Sequence, residues 1–182
     1  MNSVKFIPAS GKCTSGLMVV GEAPGEEEEK QGKPFVGRAG KLLDKMLDYV
    51  GLNRENVYVT NCIKVRPIQY GSMGAFVDYD KIKNRTPTDE ELESWKPLLI
   101  KEIKEIKPKI VLALGACAGR TLLGWQKFTN MTAIRGRVFE LKDGTPIVCS
   151  WHPAYLLRKS GDKIINAQVK EDLKIVRNVL NI

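Results

Sequence analysis

The sequence holds one histidine, four cysteines and no long uninterrupted apolar run. Each scarcity excludes something. The apolar stretches "LMVV" and "IVLAL" fall far short of the roughly 20 residues that a membrane-spanning helix needs. The opening "MNSVKFIPASGK" shows neither the apolar core nor the cleavage site of a secretory signal, so the cytoplasm is the expected location. Cys13, Cys62, Cys117 and Cys149 lie 49, 55 and 32 residues apart, with no C-x-x-C pair and no histidine companion. Zinc and iron–sulfur sites usually draw two ligands from one turn, so these thiols are expected to be reduced, buried small hydrophobes and no metal is expected.

What is present has the balance of a globular protein. The 182 residues, 43% hydrophobic and 27% charged, are enough for a single domain spanning 1–182 with a real core. Lysine and arginine number 29 against 21 acids, a net charge of +8 that favours a polyanionic partner without requiring one. Against that basic background "GEAPGEEEEKQGKPFVG", Gly21 to Gly37, sets four consecutive glutamates in a glycine-punctuated loop. No G-K-[ST] follows, and Glu22 with Glu26–Glu29 would repel a triphosphate, so a nucleotide cradle is excluded. A solvated acidic turn accounts for Glu26, Glu27 and Glu29. It does not account for Glu22, pinned between two glycines beside a strand end.

Hydrophobic periodicity gives an alternating βα order. Leu17–Gly21 and Lys109–Leu114 read as buried strands, and Val57–Ile63 is β-rich. Phe35 to Leu52 has helical apolar spacing closed by Gly51. Thr88 with Glu91 resembles a capping box opening a helix to about Ile106, with Pro97 predicting a kink or a late start. "GACAGRTLLG" reads as a short helix, Val138–Leu141 and Pro146–Ser150 as strands around "KDGT", and Asn166–Val179 as an amphipathic helix. Ile68–Lys83 lacks periodicity and is expected as a long loop or lobe. The fold class is α/β, with a mostly parallel sheet covered on both faces.

Ligands of such sheets bind beyond the C-terminal strand ends. Gly21–Phe35, Thr60–Arg66, Gly115–Ala118 and Ser150–Arg158 are expected there, and the last contains the lone histidine, His152, just before Pro153. Acidic Glu22, aromatic Phe35, amide Asn61 and imidazole His152 at one edge suit a flat polar heterocycle that leaves with negative charge.

"GEAPGEEEEKQGKPFVGRAGKLLDKML", "VYVTNCIKVRP", "NRTP", "KPKIVLALG", "IRGR" and "HPAYLLR", in that order, resemble the motifs of the family-4 uracil-DNA glycosylases over about residues 17–158. The resemblance implies a three-layer α/β/α sandwich and monofunctional excision of uracil from DNA, with the nucleotide flipped out of the stack. It implies that Phe35 stacks on the uracil and that Asn61 hydrogen-bonds its O4 and N3–H edge. His152 would stabilise charge at uracil O2. Tyr155, Leu156 and Leu157 would wedge into the base stack, with Pro153 and Ala154 fixing the turn. Lys64, Arg85 and Arg158 are candidates for phosphate contacts. Glu22 and Glu28 match the functional acids. Relatives with a GQDPYH loop place an aspartate where this chain has Ala23, so Glu22 or Glu28 must orient the water, or water attacks a nearly free sugar cation.

One departure is large. The family carries a [4Fe–4S] cluster on four cysteines, two in an N-terminal C-x-x-C, one in K-C-R-P and one before R/K-P. This chain has "KVRP" with Val65 and "SWKP" with Ser94, and its own cysteines occupy none of these places. A cofactor-free relative is expected, with the 68–83 segment packing where the cluster lobe would be organised. Excision of hypoxanthine, a uracil-DNA binder without turnover, and a general nucleic-acid-binding module are the competing readings. Covalent-capture relatives carry a histidine in a "KRRIH"-like loop after the asparagine strand, and this chain has none there. A monomer is expected, since no heptad or exposed apolar stripe suggests assembly.

Overall fold

The computed structural model describes residues 4–73, 76–124 and 126–182, with residues 72, 73 and 76–80 described by backbone alone. In chain order the first half runs β1 (Leu17–Gly21), α1 (Glu26–Gln31), α2 (Arg38–Tyr49), a 3-10 turn (Arg54–Asn56), β2 (Tyr58–Asn61), β3 (Ile68–Met73), β4 (Phe76–Asn84) and α3 (Asp89–Ile106). The second runs β5 (Ile110–Leu114), α4 (Gly115–Leu123), α5 (Met131–Ile134), β6 (Val138–Glu140), β7 (Pro146–Ser150), α6 (Pro153–Arg158) and α7 (Lys163–Leu180).

Strand pleating sends alternate side chains to opposite faces, and here both faces are apolar. Leu17 and Val19 of β1, Ile110, Leu112 and Leu114 of β5, and Val148 of β7 enter one cluster with α2, α6 and α7. Met18, Val20, Val111, Ala113, Ile147 and Cys149 enter a second cluster with α3, α4 and α5. The sheet order is β2-β1-β5-β7-β6, parallel except for β6 against β7. This is the α/β/α sandwich with a mostly parallel sheet, and the C-terminal ends of β1, β2, β5 and β7 lie along one edge.

Three segments differ from expectation. Residues 68–73 and 76–84 pair as antiparallel strands, β3 and β4, rather than a loop, with a register shift between Tyr70 and Gly71. The glutamate run is not an open loop but the short helix α1. Pro97 lies inside α3 without delaying its start, because Thr88 caps it and Glu91 completes the capping box.

Candidate active site

Gly21, the last residue of β1, is in register with Asn61, the last residue of β2. A Cβ on Gly21 would come closer than 3.0 Å to both the Phe35 ring and Asn61 Oδ1. The missing side chain is what lets ring and amide meet. Asn61 is 4% exposed, and its Oδ1 is buried without a hydrogen-bond partner among the described residues. An orphaned buried acceptor costs about 1–3 kcal/mol. Such a group in a native fold calls for a specific explanation, and an incoming donor supplies one here.

Phe35 adopts φ +54, a left-handed conformation uncommon for a bulky aromatic. Its neighbours hold it there. Glu28 Oε1 accepts from the amides of Val36 at 2.9 Å and Gly37 at 3.0 Å, and Oε2 accepts from Gly25 at 3.1 Å. Gly40 packs so closely on the Phe35 carbonyl that any Cβ would collide with it. α1 tolerates four adjacent carboxylates because cations arrive from outside the run. Lys30 pairs with Glu26 at 2.7 Å, and Arg66 pairs with Glu29 at 3.0 Å and Glu26 at 3.6 Å.

His152 is the N-cap of α6, and its Nδ1 accepts the Ala154 amide at 3.1 Å. Nδ1 is therefore unprotonated and the ring proton resides on Nε2. Burial pushes the imidazole pKa down to about 4; the Arg158 charge acts in the same direction and Glu28 opposes it. The ring stands 5.7 Å from Phe35 at an interplanar angle of 29°. Both preceding residues are fastened to α7. Ser150 Oγ donates to Asp172 at 2.6 Å and Trp151 Nε1 donates to Gln168 Oε1 at 2.8 Å. Arg135, from the "IRGR" motif, pairs with the same Asp172 carboxylate.

Glu22, Ala23, Phe35, Asn61 and His152 line one cavity of about 410 Å³. Burial, and next to it the Glu22 carboxylate, raise the Cys117 thiol pKa. The structure thus collects on one wall or another a carboxylate, an aromatic face, an orphan amide oxygen and a neutral imidazole donor.

The family model of the uracil DNA glycosylase superfamily matches residues 8–174. The chain belongs to the uracil-DNA glycosylase superfamily. It is similar to a type-4 uracil-DNA glycosylase of Thermotoga maritima, 34% identical over 180 residues, covering 99% of this chain and 85% of that one. Similar matches are to type-4 enzymes of Sulfurisphaera tokodaii, 35% identical over 95% of this chain and 74% of that one, and Archaeoglobus fulgidus, 34% identical over 84% and 72%.

Within this superfamily member, the residues expected to touch DNA meet different fates. Lys64 is not at the surface: it is 1% exposed, its ammonium bonded to Glu102 at 2.7 Å, to the Asn61 carbonyl at 2.9 Å and to Thr60. A phosphate role for Lys64 is corrected to a buried ion pair bracing the β2 end. Leu156 is also inside, 8% exposed in the α2–α6–α7 cluster, so it packs the core rather than wedging. Tyr155 and Leu157 are half-buried and Arg158 is exposed. The Tyr155 ring stacks on Trp151 at 4.9 Å, with the Arg158 guanidinium 5.8 Å from its centroid. Arg85 lines the cavity but is clamped by Glu91 at 2.7 Å through two nitrogens. Asn84 and Arg38 also line it, and sequence reasoning singled out neither.

The cluster that the resemblance implies does not fit the residues present. Val65 offers no ligand, and Ser94 Oγ donates to the Glu91 carbonyl at 2.8 Å. Cys62, Cys117 and Cys149 are buried, and burial pushes the Cys62 and Cys149 thiols up to about 12, whereas a metal takes thiolates. Among the described residues no group of three or more histidine, cysteine, aspartate or glutamate side chains is suited to a metal ion. The positions flanking the expected ligands are instead held by the N-terminal arm. The Ile7 amide donates to the Lys64 carbonyl at 2.7 Å, beside Val65, and the Phe6 ring lies 6.1 Å from Trp95, beside Ser94. That arm is placed beside both positions.

Proposed function

We propose that this protein is a monofunctional uracil-DNA glycosylase that hydrolyses the N-glycosidic bond of a flipped deoxyuridine and so opens base excision repair. The observation that carries the reading is the buried, unpartnered Oδ1 of Asn61 in a cavity shared with Phe35 and His152. An acceptor there needs a donor from the ligand. Uracil presents O4 and N3–H at that edge, which match the amide's Nδ2 donor and Oδ1 acceptor. Cytosine presents an amino donor and an N3 lone pair in the reverse order, so in the same pose it mispairs both amide atoms.

The same reading assigns the steps. Phe35 stacks on the extruded base. As the glycosidic bond breaks, its electron pair passes into the pyrimidine and negative charge gathers at O2. A neutral His152 donating from Nε2 meets that charge without having to lose a full proton. The sugar becomes cationic at C1′, and the Glu22 carboxylate stabilises it and orients the water. Glu28, with both oxygens engaged by three amides, positions the loop and does not activate water. Tyr155 and Leu157 remain the parts of α6 placed to enter the stack. The protein acts as a cytoplasmic monomer on uracil-containing DNA and uses no cofactor.

One assay tests the reading. Purified protein without added metal is given oligonucleotides carrying a single uracil or hypoxanthine, alongside Asn61→Ala and His152→Ala. Alkali-dependent cleavage only at uracil, reduced about 10²-fold or more in either variant, is expected. Cleavage only at hypoxanthine would change the substrate and keep the fold. Binding of uracil-DNA without cleavage would make the pocket a sensor.

A further inference from the structure

The cavity accounts for the base but not for what grips the strand beside it. Of the cations first expected there, Lys64 is buried and Arg85 is clamped by Glu91. Arg38 differs from both. It is the first residue of α2, it is exposed, and it lines the cavity into which the orphaned Asn61 Oδ1 is set. Among the described residues its guanidinium has no ion-pair or hydrogen-bond partner. The amides of Arg38 and Ala39 likewise have no acceptor among the described residues, and the first turn of α2 carries no acid.

The end of this 12-residue helix therefore presents positive partial charge and a full cation to the same opening. Glu26 and Glu27 line the same cavity, Glu27 beside Gly37 at the start of α2, and both are paired with Lys30. Of the two cations in the cavity lining, Arg85 is held by Glu91, which leaves Arg38 to meet an anion entering the mouth. The helix end is also fixed relative to the base stacker. Gly40 rests on the Phe35 carbonyl, and Glu28 ties the Gly37 amide to the loop.

We propose that Arg38 and the free amides at the N-terminus of α2 bind a phosphodiester group flanking the extruded deoxyuridine. The inference rests on the uracil-DNA reading above. The guanidinium fork matches two non-bridging phosphate oxygens, and an ammonium in its place supplies charge without that match. Because Phe35 and α2 move as one piece, base and phosphate are held at a fixed separation, so a strand gripped here presents its base to the stacker.

The test uses single-stranded oligonucleotides with one uracil, either fully charged or with a neutral methylphosphonate at one of the two flanking linkages. Wild type is compared with Arg38→Gln, Arg38→Lys and a control, Lys142→Gln, an exposed charge at the β6–β7 turn on the far edge. Binding and excision are measured against salt, and thermal unfolding checks the fold. Arg38→Gln is expected to unfold at the wild-type temperature, weaken binding about tenfold, and lower the salt slope by roughly 0.7. The methylphosphonate at one flanking position should weaken wild type by a similar factor and Arg38→Gln by clearly less, since only the α2 amides then remain to meet the phosphate. Arg38→Lys should recover the slope and only part of the affinity. Arg38→Gln that matches Lys142→Gln in affinity and slope, or that loses as much as wild type from both methylphosphonates, would overturn the inference while wild type still releases uracil. Failure of wild type to release uracil from the fully charged strand would bring down the glycosylase reading, and this inference with it.

Discussion

Nδ1 of His152 accepts the Ala154 amide at 3.1 Å, and that bond decides which ring nitrogen carries the proton. The protein has one histidine, so its imidazole resonances identify themselves. A nitrogen-detected titration is expected to show the Nε2–H tautomer and a midpoint near 4, below the ordinary 6.5. Between those values the unfolded chain binds more protons than the folded one. Stability is therefore complete above about pH 6.5 and falls as pH drops towards 4, by up to about 3 kcal/mol. The excision rate should accordingly show no ionisation near pH 6.5. A midpoint at 6.5 with a matching break in the rate profile would contradict the neutral-donor assignment.

Glu22 and Glu28 should separate under the same pair of measurements. Glu22→Gln is expected to keep the unfolding midpoint and lower the catalytic rate by 10²-fold or more, as loss of a charge stabiliser does. Glu28→Ala removes the acceptor of three amides and should destabilise by about 2–4 kcal/mol, with activity partly recovered in Glu28→Gln. Equal stability for Glu28→Ala and wild type would return Glu28 to direct chemistry.

Two glycines give a sharper contrast. At Gly40 an added methyl meets the Phe35 backbone, which cannot move aside, so Gly40→Ala should destabilise by several kcal/mol, about 3 or more. At Gly21 the methyl meets the Phe35 ring and the Asn61 amide, two side chains at an open cavity. Gly21→Ala is expected to fold with a smaller loss, about 1–2 kcal/mol, while uracil excision collapses. Chemical denaturation alongside the oligonucleotide assay reads both.

Asp172, 0% exposed, couples β7 to α7 through Ser150 and Arg135. Asp172→Ala leaves the Arg135 charge unpaired and should cost about 3–5 kcal/mol. Asp172→Asn should cost less, and both should shift the His152 resonances because Ser150 anchors the strand end two residues away. Unchanged histidine shifts in a folded Asp172 variant would show that the anchor does not reach the site.

The sheet and its active edge were legible because β1 and β5 are short, wholly apolar runs that stop at glycine, which puts Glu22 and the residues after Ser150 on one rim. The β3–β4 pair was not, since its strands show no alternation and their pairing slips at Tyr70. α1 was hidden for a different reason: like charges argue against a helix until Arg66, far along the chain, neutralises them. Lys64 and Leu156 were misplaced because a residue type fixes chemistry but not depth. Only Glu102 on α3 makes a buried ammonium tolerable, and only the packing of α2 against α6 buries one leucine while leaving its neighbour half-open. Arg38 was overlooked because its significance lies in having no partner among the described residues, which no local pattern displays.

The strand order β2-β1-β5-β7-β6 also dictates when the enzyme can exist during its own synthesis. Glu22 directly follows β1, yet the central partner of that strand, β5, is made some 90 residues later, and β7, which leads into His152, later still. Such non-local pairing closes slowly. On an emerging chain the acidic loop and the phenylalanine would be exposed well before any imidazole arrives opposite them. A nascent fragment thus exposes the loop and Phe35 before the imidazole is there to face them, and the cavity is complete only when α7 docks and pins Ser150 and Trp151.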